Sequence, residues 1–313
     1  MKYFLINFIL ASHSLIASMD PVPKSETRFL VFGGKTGWIG KMVIETLEKE
    51  GIYYDAAESR LEEREHILQE IEKKKPTHII NTAGVTGVPN VDWCETNRQQ
   101  TLRSNIIGAL NLADIAYLKG IHMTNFGTGC IYEYDAQHPL GSNIGFTEQE
   151  APNFFGSFYS STKVQLDQLL KNYPNVLNLR LRMPISSDLS SRNFITKITK
   201  YKKVINVPNS MTVLDEMIPI AIELALSKET GNYNFTNPGV VSHNEILQLY
   251  KTYVDPDFTW ENFTVEEQDQ ILKAKRSNNE LDVSKLKEKF PELKEIHESL
   301  LAVFEKIRSL KNT

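Results

Sequence analysis

The sequence predicts an α/β fold: a doubly wound parallel sheet followed by a smaller C-terminal region. Three observations carry that expectation. A fully apolar run, Phe29-Leu30-Val31-Phe32, leads directly into a glycine-rich turn. Between residues 28 and 183, short apolar runs alternate with stretches of helical period, and such alternation folds into a right-handed parallel sheet. After Pro184 the alternation stops and helical patterns dominate.

Taken in order, Arg28 to Phe32 reads as a strand covered on both faces. Lys41 to Glu50 places Met42, Val43, Ile44 and Leu47 on a helix that Gly51 closes. Ile52 to Ala56 is a second strand, residues 60–75 a charged helix ended by Pro76, and His78 to Thr82 a third strand. Thr101 to Lys119 reads as one long amphipathic helix, Ile121 to Thr128 as a strand, Phe158 to Asn172 as a helix and Val176 to Met183 as a strand. Beyond these, helices are expected at 193–202, 214–227, 242–254, 264–274 and 283–310, with a short strand at Tyr233 to Thr236. No repeat or linker interrupts the chain. One continuous body is expected, with a dinucleotide-binding half over 28–185 and a substrate-binding region over 186–313.

Composition narrows the function. Lys and Arg total 35 against 39 Asp and Glu, a net charge of −4, which argues against a nucleic-acid binder. Two cysteines, Cys94 and Cys130, make no disulfide framework or zinc spacing and suggest a reducing compartment. No apolar run after residue 20 is long enough for a membrane span. Residues 1–18 resemble a secretory signal, or else sequence upstream of a working start at Met19. The expectation is a dispensable leader over 1–27 and a cytoplasmic enzyme. Sequons at Asn234 and Asn262 test that expectation, since a secreted form could carry glycans there.

Gly34-x-x-Gly37-x-x-Gly40 lies between a predicted strand and a predicted helix. Such glycines let backbone N–H groups approach a pyrophosphate, and the helix N-terminus adds partial positive charge. The whole turn, Gly34, Lys35, Thr36, Gly37, Trp38, Ile39 and Gly40, is therefore a candidate cofactor cradle, with Ala83 and Gly84 at the end of the third strand. Gly33 is a fourth glycine whose role the sequence leaves open. After the second strand, Arg60 could grip a 2′-phosphate with its guanidinium fork. Asp55 and Glu58 point towards NAD, and the expectation is NADPH.

Tyr159 and Lys163 stand four apart, on one face of a helix. An ammonium beside a phenol stabilises the phenolate, so the pair can protonate a carbonyl oxygen during hydride transfer. Thr128, ending a strand, can hydrogen-bond the same oxygen. Read from residue type alone, Cys130 is a small buried hydrophobe and Lys197 a solvated helix charge.

Together these motifs resemble extended short-chain dehydrogenases/reductases acting on nucleotide sugars, a Rossmann-type family. Longer blocks, among them GKTGWIG (34–40), AGVTG (83–87), TGCI (128–131), RMPISSDLS (182–190), RNFITKI (192–198) and RSNNELD (276–282), narrow the resemblance. They are similar to the bifunctional UDP-4-keto-6-deoxy-glucose 3,5-epimerase/UDP-4-keto-rhamnose 4-reductase branch of L-rhamnose synthesis, over about residues 28–305. The resemblance implies an NADPH-dependent reductase with Thr128, Tyr159 and Lys163 as its triad. It also implies that Cys130 and Lys197 move the C3 and C5 protons in the same pocket. Asn105 resembles the family's helix-kinking asparagine, which helps position the active-site lysine. Arg276 is a candidate for the UDP-sugar diphosphate and Asn209 for the nucleotide pocket. His243 and Glu245 read as a helix start capped by Ser242, with no metal role.

Related 4,6-dehydratases carry an Asp-Glu pair after the threonine, where this sequence has Gly129-Cys130. Dehydration is therefore not expected, and a separate UDP-glucose 4,6-dehydratase should supply the keto sugar. A homodimer packed through residues 101–119 and 158–172 is usual for such folds. The rival readings are a reductase acting on an already epimerised sugar and a non-catalytic NADPH-binding regulatory subunit. Cys130 and Lys197 argue against the first, and the intact triad against the second.

Overall fold

The structure, a computed structural model, describes residues 26–311. Most of the leader expected over 1–27 lies outside the described residues. The first half runs β1 (Arg28–Phe32), α1 (Trp38–Lys49), β2 (Tyr53–Ala56), α2 (Arg64–Lys74), β3 (His78–Asn81), α3 (Asp92–Thr96), α4 (Arg98–Leu102), a π-helical turn (Arg103–Gly108), α5 (Ala109–Leu118), β4 (His122–Thr128), α6 (Phe158–Leu170) and β5 (Val176–Leu181). The second half adds α7 (Phe194–Ile198), β6 (Lys203–Val204), α8 (Leu214–Leu226), β7 (Gly231–Asn234), α9 (His243–Tyr253), β8 (Glu261–Asn262), α10 (Val265–Ile271), α11 (Ser284–Lys289) and α12 (Ile296–Lys311).

Six strands form one parallel sheet in the order β2-β1-β3-β4-β5-β7. Successive side chains of β1 take opposite faces, as strand geometry demands. Phe29 and Val31 pack with Val43 and Leu47 of α1 and with Leu214, Met217 and Ile218 of α8. Leu30 and Phe32 pack with Ile67 and Ile71 of α2, Leu112 and Ala116 of α5 and Leu166 of α6. Each such buried Val, Leu, Ile, Met or Phe side chain contributes roughly 1.5–3 kcal/mol. The order reverses between β1 and β3, and their carboxyl ends open a crevice there, the usual ligand position in such sheets.

The segment after residue 185 does not stand apart from this body. Its α8 covers one face of the sheet beside α1, and its β7 pairs with β5. What remains builds a third core from Ile185, Ile195, Val213, Ile246, Leu247, Leu300 and Phe304, beside the two-stranded β6–β8 ladder.

Two predicted helices are broken. The helix expected over 101–119 widens into the π turn at 103–108, where the buried Asn105 turns its amide away to the Val85 backbone. The helix expected over 283–310 is split into α11 and α12 around Pro291, whose ring cannot continue a helix. The Ser242 N-cap expected at the start of α9 is present, and Glu245 completes it into a capping box. Of the two sequons, Asn234 is buried, and its amide donates to the Phe146 and Asp282 carbonyls. The folded chain therefore offers no acceptor there.

Candidate active site

The crevice is floored by glycine because backbone must touch backbone. Gly33 adopts φ +83°, and a Cβ there would lie 2.5 Å from Thr82 Oγ1. Gly37 N–H donates to Gly33 O at 2.8 Å, and a Cβ on Gly37 would sit 2.5 Å from that same oxygen. The role left open for Gly33 is thus the left-handed turn that brings β1 against the end of β3. Helix α1 starts at Trp38 with Gly37 as N-cap, no side-chain cap and no acid in its first turn. Its first N–H groups and its dipole suit an anion. A dinucleotide pyrophosphate fits this cradle.

At the adenosine end, the loop after β2 is pinned by Glu70. Its carboxylate accepts from Glu58 N–H at 2.8 Å and Ser59 N–H at 2.9 Å. Burial alone would raise Glu70, but Lys74, at 2.8 Å, and the Ser59 donors hold it down to about 2. Lys35 is paired with Glu58 at 3.0 Å. Arg60 lies 3.8 Å from Glu62 and its side chain is 79% exposed, so it can swing to a ligand. Trp38 Nε1 donates to Asp188 at 2.6 Å, tying the turn to the RMPISSDLS segment.

At the other end, β3 finishes in a loop held by side chains. Ala83 N–H donates to Asn81 Oδ1 at 3.1 Å, and both backbone groups of Val85 bond Asn105 at 2.8 Å. A Cβ on Gly84 would lie 3.3 Å from Asn105 Oδ1 and 3.6 Å from Lys163 Nζ, so Gly84, Asn105 and Lys163 sit together. Ser157 caps α6 by accepting from Ser160 N–H at 3.0 Å. This start sets Tyr159 and Lys163 one turn apart, each 8% exposed. The Thr128 hydroxyl lies close enough to the Tyr159 phenol to favour its ionised form. Thr128 Oγ1 also accepts from Cys130 N–H at 3.1 Å.

Burial governs the protonation of this group. It pushes the Tyr159 phenol up, Cys130 adds to the rise, and the Thr128 hydroxyl opposes it. Burial pulls the Lys163 ammonium down to about 8, with Cys94 opposing. The phenol is thus loaded with its proton, as a donor to a ketone oxygen must be. Lys163 has no carboxylate partner among the described residues.

The remaining candidates divide. Lys197 lies on α7, half-buried, its ammonium lowered by burial and then by Arg192. Asn209 is fully buried and its amide is spent. Its oxygen accepts from Arg182 and Asn279 N–H, and its nitrogen donates to Val207 O and Asn278. It therefore offers no free atom to a nucleotide, and its place is behind the site. Arg276 is ion-paired with Asp92 through Nη1 at 2.9 Å and its side chain is 23% exposed, so a diphosphate would meet a guanidinium already shared with a carboxylate. Sequence reasoning missed Arg182, which lies buried behind Gly129, and Cys94, buried near Lys163. Nothing in their local spacing signals either role, because the neighbours come from distant segments.

Residues 30–205 match the NAD dependent epimerase/dehydratase family. The chain is 57% identical over 293 residues to a bifunctional dTDP-4-dehydrorhamnose 3,5-epimerase/dTDP-4-dehydrorhamnose reductase of Arabidopsis thaliana, covering 93% of this chain and 97% of that one. It is 58% identical to a trifunctional UDP-glucose 4,6-dehydratase/UDP-4-keto-6-deoxy-D-glucose 3,5-epimerase/UDP-4-keto-L-rhamnose-reductase of the same plant. There it covers 89% of this chain but 42% of the relative. The crystal structure of the L780 UDP-rhamnose synthase from Acanthamoeba polyphaga mimivirus superposes with a TM-score of 0.85 at 43% identity, over 89% of this chain and 99% of that one. With a Rossmann-like sheet, a glycine cradle and a Thr-Tyr-Lys cluster at its crevice, the chain belongs to the NAD dependent epimerase/dehydratase family.

Proposed function

We propose that this chain converts UDP-4-keto-6-deoxy-D-glucose to UDP-L-rhamnose, by 3,5-epimerisation followed by NADPH-dependent reduction of the 4-ketone. The observation that carries the reading is the position of Cys130. Its N–H rests on the Thr128 hydroxyl, and its thiol is close enough to the Tyr159 phenol to act on it electrostatically. That proximity supports a proton-moving side chain and a ketone-binding pair acting on the same sugar ring. The relative at 57% identity is named for both activities.

The hydrogens at C3 and C5 are acidic because each is α to the ketone. Thr128 and Tyr159 hold the C4 oxygen, so the enolate formed on proton removal finds hydrogen-bond donors already in place. Cys130 and Lys197 remove and return the C3 and C5 protons from opposite sides of the ring, which inverts each centre. When bound, NADPH supplies the hydride that reduces C4. Tyr159 delivers its proton to the C4 oxygen, and Lys163 restores that proton while holding the cofactor ribose. Gly34 to Gly40 take the pyrophosphate, and Arg60 takes the 2′-phosphate. Gly129-Cys130 stands where a dehydratase would need acids, so a separate UDP-glucose 4,6-dehydratase supplies the substrate.

Two further features belong to this reading. The chain works as a homodimer through α5 and α6, where Tyr117, Leu118 and Leu169 are exposed apolar residues. Among the described residues no helix is long and apolar enough to cross a membrane. The deciding experiment is NMR identification of the product from UDP-4-keto-6-deoxy-glucose and NADPH. UDP-L-rhamnose supports the reading. A C4-reduced sugar with C3 and C5 unchanged leaves a reductase alone, and binding without turnover leaves a sensor.

A further inference from the structure

Two arginines, Arg180 within β5 and Arg182 just past its end, are almost completely buried, but only one has a counter-ion. Arg180 is 0% exposed and forms a fork with Asp167, at 2.9 and 2.8 Å. Arg182 is 1% exposed and bonds only neutral groups. Its Nη1 donates to Gly129 O at 3.0 Å and Ser277 Oγ at 2.9 Å, its Nη2 to Asn209 Oδ1 at 2.6 Å and Ser277 O at 3.1 Å, and its Nε to Ser210 O at 3.3 Å. Among the described residues no carboxylate pairs with it. A guanidinium keeps its proton in proteins, so a full positive charge is held here without compensation. Burying such a charge unpaired is costly. The site is nevertheless built around it, since Ser277 holds both prongs of its fork and the Asn209 amide oxygen is spent on one of them.

The charge lies directly behind the reacting end of β4. Arg182 grips the carbonyl of Gly129, the residue between Thr128 and Cys130, and its stem shares with Leu281 the space a Gly129 side chain would take, with Leu281 Cδ1 2.6 Å and Arg182 Cγ 3.0 Å from an added Cβ. Burial lowers the guanidinium, and Cys130 and then Tyr134 oppose that fall. We propose that Arg182 is a positioning residue of the proton-transfer half of the reaction, its uncompensated charge favouring the negative charge that develops as the C3 and C5 protons are moved. This rests on the epimerase reading above. Hydride transfer, with Tyr159 delivering the proton to the C4 oxygen, should depend on that charge far less.

The test adds a counter-ion without touching Arg182. Ser277→Asp puts a carboxylate where Nη1 now meets a hydroxyl, and Ser277→Asn is the neutral control of the same shape. Tyr132 O, which Ser277 Oγ also bonds at 2.6 Å, keeps its Asn279 donor at 2.7 Å in either variant. Deuterium incorporation at C3 and C5 is followed without cofactor, and NADPH oxidation is followed with UDP-4-keto-rhamnose. The expected result is exchange at least about tenfold slower in Ser277→Asp than in Ser277→Asn, with reduction within about threefold. Should Ser277→Asp fail to fold, Arg182→Lys must keep more exchange relative to reduction than Arg182→Met. Equal exchange in the Asp and Asn variants, or exchange and reduction falling together, overturns the proposal. A parent chain that reduces UDP-4-keto-rhamnose but exchanges nothing overturns the epimerase reading and this one with it.

Discussion

The two ends of the crevice use positive charge in opposite ways. At the adenosine end, Lys35 is half-exposed beside Glu58, and Arg60 is 79% exposed. Water and salt screen both, so they can select a ligand but can hardly alter its chemistry. At the reaction end, Lys163 is 8% exposed with no acid partner among the described residues, and Arg182 is 1% exposed with none. Charges held that way are expensive for the fold and strong in effect. The comparison teaches where substitution should hurt: orders of magnitude at the buried end, small factors at the exposed one.

The largest effect tests the buried end. Tyr159→Phe keeps the ring but removes the proton donor. Its kcat for reducing UDP-4-keto-rhamnose should fall by about 10²–10⁴, read from NADPH absorbance. A loss under tenfold would mean another group protonates the ketone oxygen. Cys130→Ser should be comparably severe, but selectively. Deuterium exchange at C3 and C5 should fall by about 10²–10⁴, while reduction of UDP-4-keto-rhamnose stays within about tenfold. Unchanged exchange would make Cys130 a packing residue.

A pH profile probes the same end without mutation. Burial lowers Lys163 to about 8, so its proton is present below that pH and lost as the pH rises through it. On the proposed mechanism, reduction depends on the charged Lys163 ammonium. Its rate should therefore be flat below about pH 7.5 and decline above about pH 8, far below the ordinary lysine range. A profile flat to pH 9.5 would show that Lys163 stays protonated.

The smallest effect belongs to the exposed end. Arg60→Ala should reduce the preference for NADPH over NADH by about two- to tenfold in kcat/KM, the scale of a solvent-screened ion contact of about 1 kcal/mol. The change should shrink in high salt. A hundredfold loss would mean that Arg60 becomes enclosed on binding, and the contrast between the ends would fail.

The same contrast explains what could be read from the sequence. The glycine turn was legible because only glycine fits where Gly37 meets Gly33 O, and the residue type itself records the constraint. Tyr159 and Lys163 were legible because one helical turn brings them together. The β1 core was legible from its unbroken apolar run. Cys130 and Lys197 read as ordinary residues by type, and only their resemblance to a family singled them out. Arg182 was not legible at all, because its five hydrogen bonds come from residues 129, 209, 210 and 277. Asn209 was misplaced for the same reason, its partners being remote in sequence. The π turn at Asn105 was not legible from the amphipathic pattern, which reads as one unbroken helix; only the resemblance marked a kink there, and the break serves a bond to Val85 from another segment.

The central claim is that one pocket moves carbon-bound protons and also reduces the ketone. Its most direct test is NMR of UDP-4-keto-6-deoxy-glucose incubated with the chain in heavy water, first without cofactor and then after adding NADPH. The account predicts deuterium at both C3 and C5 before any reduction, then UDP-L-rhamnose carrying deuterium at both carbons. A sugar that stays fully protonated at C3 and C5, yet is reduced when NADPH is added, would contradict it.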